Sequence, residues 1–152
     1  MTRLKKEVLS LWQKRMLYGV SAILWLSGAV WLYFRYCHQA PGEFGPQSYP
    51  AQALVLKLHG AAAMIFLVIF GALLYHIRPG WRKKYQRPSG MLLLTACGLL
   101  ILTGWGLYYL GNEKLRNLIS TIHSIFGILL PVIIFFHVWR IVQRRAKRIG
   151  KF

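Results

Sequence analysis

Four long stretches of this sequence contain no charged side chain. They comprise residues 16–34, 58–77, 88–112 and 117–139. At about 1.5 Å per residue, an α-helix of about 20 residues crosses the roughly 30 Å hydrocarbon core of a bilayer. The sequence therefore predicts an all-α integral membrane protein, a four-helix bundle. The expected helices run over about residues 16–37, 54–77, 89–110 and 117–141.

The basic residues gather on one side of these predicted spans. The chain has 20 lysines and arginines against 3 acidic residues, a formal net charge of +17. Sixteen of the basic residues lie before the first span, between the second and third, or after the fourth. The positive-inside rule therefore predicts that both termini and the middle loop are cytoplasmic. The clusters would contact anionic membrane lipid, and no nucleic acid is expected, because a nucleic-acid-binding protein would collect its basic residues on one soluble face.

The composition excludes several classes of site. All 3 acidic residues are glutamates, so the chain has neither an aspartate for a Ser-His-Asp triad nor a set of carboxylates for a metal centre. Cys37 and Cys97 form neither a CxxC zinc motif nor a CxxCH haem-attachment motif. The loops are short, and the whole chain, 1–152, is expected to form a single four-helix transmembrane domain.

Four histidines lie inside the predicted spans. His59 and His76 belong to the second span, and His123 and His137 belong to the fourth. These two spans run in the same direction, so His76 and His137 are expected near the cytoplasmic rim and the other two near the opposite rim. A single histidine could simply hydrogen-bond a neighbouring helix. Four of them, in two pairs at two depths, are instead typical of a functional site, because ionisable groups at membrane depth are costly.

This pattern predicts two b-type haems. Haem iron takes two axial ligands besides its four porphyrin nitrogens, and neutral imidazoles from two helices can supply both. The expected pairs are His76 with His137 and His59 with His123. His123 and His137 are 14 residues apart, about 21 Å along a helix, and share a face within about 40°. His59 and His76 are 17 residues apart, a phase mismatch of about 100° that a tilt or distortion of the second span must absorb.

Other candidate binding residues lie at the rims of the spans. Zinc or copper fits the histidines less well, because catalytic sites for these metals need about three protein ligands at one point. Haem propionates need cationic or hydrogen-bonding partners. The candidates are Arg78, Arg82 and Arg140 on the inner side and Arg35, Lys57 and Arg116 on the outer side. Proton exchange with a quinol on the outer side has His38, Glu43 and Glu113 as candidate carriers.

Two segments carry a resemblance to a known group. LKLHGAAAMIFLVIFGALLYHIR and STIHSIFGILLPVIIFFHVWR, with their paired histidines, resemble the small bacterial dihaem cytochromes b, which are related in design to cytochrome b561. The resemblance covers the second to fourth spans. In many b561-like bundles the first helix also supplies a ligand, whereas here the only histidine near it is His38, at its outer end.

The resemblance implies a function in the bacterial inner (cytoplasmic) membrane. Two haems would carry electrons across the bilayer between the quinone pool and a redox partner, such as a periplasmic c-type cytochrome. The chain would then be an electron-transfer subunit of a quinol-linked oxidoreductase complex, with the haems supplying the redox chemistry. Two alternatives stay open: a direct small-substrate oxidoreductase, such as a superoxide oxidase or ferric reductase, and a haem-free membrane anchor subunit.

Overall fold

The computed structural model describes residues 10–43, 45, 47–77 and 87–149. The described residues contain four helices: α1 (Leu11–Tyr36), α2 (Pro50–Ile77), α3 (Arg87–Tyr109) and α4 (Glu113–Ile149). Each has a segment long and apolar enough to cross a membrane. The predictions of an all-α chain and of four candidate spans are confirmed, and the four spans indicate a multi-pass membrane protein. The cytoplasmic location of both termini remains a prediction.

The helices extend beyond the predicted spans at most of their ends. α1 begins five residues earlier than predicted, and α4 ends eight residues later. A capping box starts α1: Gln13 N–H donates to Ser10 Oγ at 3.2 Å, and Ser10 N–H donates to Gln13 Oε1 at 2.9 Å. Such reciprocal bonds satisfy two donors of the first helical turn and let a helix begin outside its apolar stretch. The uncharged run marks the hydrocarbon depth, and the helix continues past it.

The chain forms two compact units, Met1–Arg78 and Pro79–Phe152. In the first unit α1 packs against α2, and in the second α3 packs against α4. Both pairs are antiparallel hairpins. In the first, the ring of Phe34 at the end of α1 stacks on that of Tyr49, just before α2, with centroids 5.0 Å apart. The arrangement of all four helices in one bundle remains a prediction.

Small side chains form the contact between the helices of each unit. Among the described residues, the buried apolar ones are Val20, Ala62, Ala96 and Cys97. Most large apolar side chains point outward; Val68 is 76% exposed. Lipid-facing helices have this pattern, because lipid tails are as apolar as the side chains and helix contacts rely on close approach of small residues. The helix interfaces are therefore the places where a buried polar group needs an explanation.

Buried polar side chains are few, and most of them share one property. Within the described part of the chain they are Ser27, Gln52, Ser89 and Thr103. Three of these four carry a hydroxyl group, and each of the three hydroxyls contacts a histidine on the partner helix of its hairpin. The buried hydroxyl groups of these helices are thus partners of the histidines.

Candidate functional site

His59 is held against α1 by the hydroxyl group of Ser27. Its Nδ1 lies 2.9 Å from Ser27 Oγ, and Ser27 is only 5% exposed. The same hydroxyl donates back to its own helix, to the carbonyl of Ile23 at 2.7 Å and that of Leu24 at 3.1 Å. A hydroxyl has a single proton, and here the backbone carbonyls receive it. Ser27 Oγ is therefore placed to accept a hydrogen bond from Nδ1–H of His59.

This hydrogen bond favours one tautomer of His59. When Nδ1 of a neutral imidazole carries the proton, Nε2 carries the lone pair. The backbone of Leu24 is a further hydrogen-bond partner of the His59 side chain. Because backbone N–H groups inside a helix are already used in the helix, Leu24 offers its carbonyl, and the ring is again the donor. The side of the ring that faces α1 thus carries N–H.

The second hairpin repeats the arrangement at His123. Its Nδ1 lies 2.9 Å from Thr103 Oγ1, and Thr103 is buried. Thr103 Oγ1 donates to the carbonyl of Leu99 at 2.7 Å and to that of Leu100 at 3.2 Å. Because this hydroxyl proton also goes to backbone carbonyls, Thr103 Oγ1 is placed to accept from Nδ1–H of His123, which favours the tautomer with the lone pair on Nε2. Ser27 on α1 and Thr103 on α3 thus contact a histidine with the same geometry.

A glycine follows each of these hydroxyl residues and contacts the same imidazole. A Cβ atom added to Gly28 would lie 3.3 Å from Cε1 of His59, and one added to Gly104 would lie 3.4 Å from Cε1 of His123. Carbon atoms prefer separations of about 3.5–4.0 Å. Both rings therefore lie close to the glycine backbone, and a Cβ at Gly28 would require the ring to shift by a few tenths of an ångström.

A third pair lies at His137, with a longer hydrogen bond. Nδ1 of His137 lies 3.2 Å from Oγ of the buried Ser89, and the backbone of Ser89 also bonds to the ring. A Cβ added to Gly90 would lie 3.7 Å from Cε1 of His137, an ordinary contact. We call these three dipeptides the hydroxyl–glycine pairs: Ser27 with Gly28, Ser89 with Gly90, and Thr103 with Gly104. The pair at Ser89 holds its histidine more loosely than the other two.

Spacing along α3 matches spacing along α4. Ser89 and Thr103 are 14 residues apart, as are His123 and His137. In an antiparallel hairpin equal spacings bring both histidines opposite a hydroxyl–glycine pair, and both lie on the face of α4 that packs against α3. The histidines were predicted from the sequence, but their hydroxyl partners were not. The equal spacing was the signal that could have found them.

Three predicted site residues fall outside what the structure describes. His76 lies on α2, but its side chain is outside the described residues, and so are Arg78 and Arg82. Arg140 is described: its guanidinium lies over the ring of Phe136, 5.5 Å from the centroid. Arg140 follows His137 by three residues on α4, so it lies within one helical turn of that imidazole.

His38 lies in an aromatic cluster at the loop end of the first hairpin. Its ring stacks on that of Tyr33, with centroids 6.1 Å apart and planes at 9°, and it contacts the ring of Tyr49 at 4.8 Å. Phe34 completes the cluster. His38 follows the last residue of α1 by two positions, whereas Ser27 and His59 meet nine residues before that end. His38 and His59 therefore have separate surroundings.

The donor chemistry of His59 and His123 fits an axial ligand of haem iron. Iron-bound histidine is neutral, binds through a lone pair, and donates its other N–H to an outer acceptor. Both residues have a hydroxyl oxygen placed to accept from Nδ1–H and a glycine beside the ring, an arrangement that favours a neutral tautomer of this kind. Groups of three or more histidine, cysteine or acidic side chains that could hold a metal ion do not occur in the described ranges.

Comparison with known proteins leaves the family open. The chain matches no protein-family model. It matches no curated protein and no solved structure. The chain is a four-helix protein with four candidate membrane spans, and its function is argued from its own residues.

Proposed function

We propose that this protein is a membrane-bound b-type cytochrome that holds two haems and carries electrons across the bilayer. One observation carries the proposal: His59 and His123 have the same hydroxyl partner on Nδ1 and the same glycine beside Cε1, on two different hairpins. A histidine that only linked two helices would not need the same ring nitrogen to be bonded in the same way on both hairpins. A metal ligand does need a fixed Nδ1 partner, because the ligating nitrogen must keep its lone pair.

Haem is the group that best suits these ligands. Each hairpin would contribute one imidazole at each of two depths. The porphyrin itself supplies four of the six iron ligands. We propose His59 with His123 for one haem and His76 with His137 for the other. The four helices would then form one bundle in the bacterial inner membrane, with both termini in the cytoplasm, as the distribution of 20 basic residues favours.

The residues of the chain would have distinct tasks in this cytochrome. The haem, when bound, supplies reversible one-electron chemistry. The imidazoles hold it, the hydroxyl groups of Ser27 and Thr103 orient two of those imidazoles, and the apolar spans keep water away. Arg140 and Arg78 are the proposed partners of the inner propionates.

Electron exchange would take place at the two rims. Quinol is the proposed membrane donor or acceptor, and a periplasmic c-type cytochrome or another redox subunit is the proposed partner. Oxidation of a quinol releases protons, and His38, Glu43 and Glu113 near the outer ends of the spans are the proposed carriers. His38 has aromatic neighbours that suit a flat ring nearby: Tyr33, Phe34 and Tyr49.

Haem content tests the proposal. The full chain, purified in mild detergent from cells supplied with a haem precursor, is expected to show a sharp b-type α band on reduction and two haems per chain. His59→Ala and His123→Ala should each remove the same haem, whereas His76→Ala and His137→Ala should each remove the other. His38→Ala is the matched control and should keep both.

Three outcomes would contradict parts of the proposal. A colourless protein that also fails to bind added haemin would refute the cytochrome and favour a haem-free anchor. Loss of haems in another pairing would refute the ligand assignment and leave the cytochrome standing. Turnover of superoxide or a ferric chelate, with no quinol and no protein partner, would favour a direct oxidoreductase.

A further inference from the structure

The ring nitrogens of His59 and His123 are not equivalent in this fold. Each Nδ1 faces a hydroxyl oxygen at 2.9 Å, and each hydroxyl has committed its only proton to a carbonyl at 2.7 Å. Turning either ring by half a turn about its Cβ–Cγ bond would bring a carbon atom to the hydroxyl oxygen. A buried hydrogen bond would be lost.

We infer that Ser27 and Thr103 are positioning residues that hold His59 and His123 in the Nδ1–H tautomer before any haem is bound. Gly28 and Gly104 contribute to this positioning, because each imidazole ring lies against the space that a Cβ atom would occupy. The inference about the tautomer stands on the hydrogen bonds alone. Its consequence for haem binding rests on the function proposed above.

The consequence for haem is a preorganised, more basic ligand. An imidazole that donates from Nδ1 to an acceptor binds metal more strongly through Nε2, and loss of such an outer partner typically costs about 10- to 100-fold in metal affinity. Removing the Ser27 hydroxyl should therefore weaken haem binding at His59 by at least about 10-fold. It should also raise the reduction potential of that haem, because a weaker donor stabilises ferric iron less.

The third hydroxyl–glycine pair provides an internal comparison. Ser89 Oγ lies 3.2 Å from Nδ1 of His137, and the backbone of Ser89 bonds to the same ring. This hydroxyl bond is longer than the 2.9 Å bond at His59, so the ring of His137 depends less on its hydroxyl partner. Ser89→Ala should thus change its haem less than Ser27→Ala changes the other.

Nitrogen NMR on the full chain without haem tests the tautomer directly. With ¹⁵N-labelled histidine in detergent micelles, the protonated nitrogen of each neutral ring is identified by its shift and its proton coupling. His59 and His123, assigned by His→Ala variants, are expected to show Nδ1–H in the unaltered chain. Ser27→Ala and Thr103→Val should give mixed tautomers, and Ser27→Thr and Thr103→Ser should restore one.

Thr121→Val is the matched control. Thr121 is an exposed residue of α4 whose hydroxyl donates to the carbonyl of Asn117 at 3.0 Å, the same backbone bond that Ser27 and Thr103 make. It tests whether loss of such a bond alone disturbs the protein. Tautomers, haem affinity and haem potentials should all stay unchanged in this variant.

The outcomes separate the inference from the proposed function. Nε2–H in the unaltered chain, or an Nδ1–H tautomer that survives Ser27→Ala and Thr103→Val, would overturn the inference even if two haems bind. Tautomers as expected in a chain that never binds haemin would uphold the positioning role and refute the cytochrome. A variant that fails to fold, seen as lost helical circular dichroism, is replaced by the Ser27→Thr and Thr103→Ser pair, whose failure to keep Nδ1–H would also count against the inference.

Discussion

Replacing Gly28 by alanine places a methyl group against the ring of His59. The new Cβ would lie 3.3 Å from Cε1 and 3.6 Å from Nδ1. Methyl and ring carbon prefer about 3.5–4.0 Å, so the ring must move away by a few tenths of an ångström. That movement stretches the 2.9 Å bond from Nδ1 of His59 to Ser27. Overpacking of this kind costs about 1–3 kcal/mol.

A control in the same helix separates this contact from the effect of alanine itself. Alanine favours a helix over glycine by about 1 kcal/mol, which would partly offset the strain. Gly19 is also in α1, and a Cβ there would meet no atom within 4 Å. Gly19→Ala gains the same helix propensity without the contact. The difference between Gly28→Ala and Gly19→Ala therefore isolates the contact, at about 1–3 kcal/mol.

The same logic applies to the second hairpin and ranks the variants. A Cβ on Gly104 would lie 3.4 Å from Cε1 of His123, one on Gly90 would lie 3.7 Å from Cε1 of His137, and one on Gly98 would meet nothing within 4 Å. The cost should fall in the order Gly28→Ala, Gly104→Ala, Gly90→Ala, with Gly98→Ala as the control.

Two assays check this ranking on the full chain in detergent. Loss of helical circular dichroism on heating reports stability, and titration with haemin reports the affinity of each haem site. Gly28→Ala should lower both relative to Gly19→Ala. Equal behaviour of these two variants would refute the close contact between Gly28 and His59.

Three further predictions follow from single contacts. Ser89→Ala should keep the haem proposed at His137, and it should reduce haem affinity less than Ser27→Ala does at His59, because the bond from Ser89 Oγ to His137 is longer, at 3.2 Å. An equal or larger loss of affinity in a haemin titration would contradict this. Ser10→Ala removes the cap of α1 and should cost about 1 kcal/mol of thermal stability while the haem spectrum stays unchanged; a changed spectrum would speak against a purely local cap. Arg140→Gln should shift the potential of the inner haem downward, because a nearby positive charge favours the reduced state; a redox titration with no shift would remove Arg140 as a propionate partner.

Several features of the fold were predictable because they depend on local properties of the chain. A stretch without charge, long enough to cross a bilayer, predicts a helix wherever it occurs, and all four helices lie where such stretches do. Helix ends were less predictable. The charge-free run says nothing about how far polar residues continue the helix, so the capping box at Ser10 and the long basic end of α4 were missed.

The histidines were visible in the sequence because ionisable residues are rare in apolar spans. Their partners were not. A serine or threonine in a span usually bonds to its own backbone. Ser27 looks no different in sequence from Thr121, which is exposed and bonds to the carbonyl of Asn117. Only the packing of one helix on another distinguishes them.

The sequence by itself determined the number of spans, their approximate limits and the identity of the titratable groups at membrane depth, because each depends on residue type and spacing along one helix. Tertiary structure decided which hydroxyl meets which imidazole and which nitrogen keeps its proton. That choice depends on the rotation and register of two helices, set by the small residues through which they approach. The chemistry proposed for His59 and His123 therefore rests on how α1 meets α2 and how α3 meets α4.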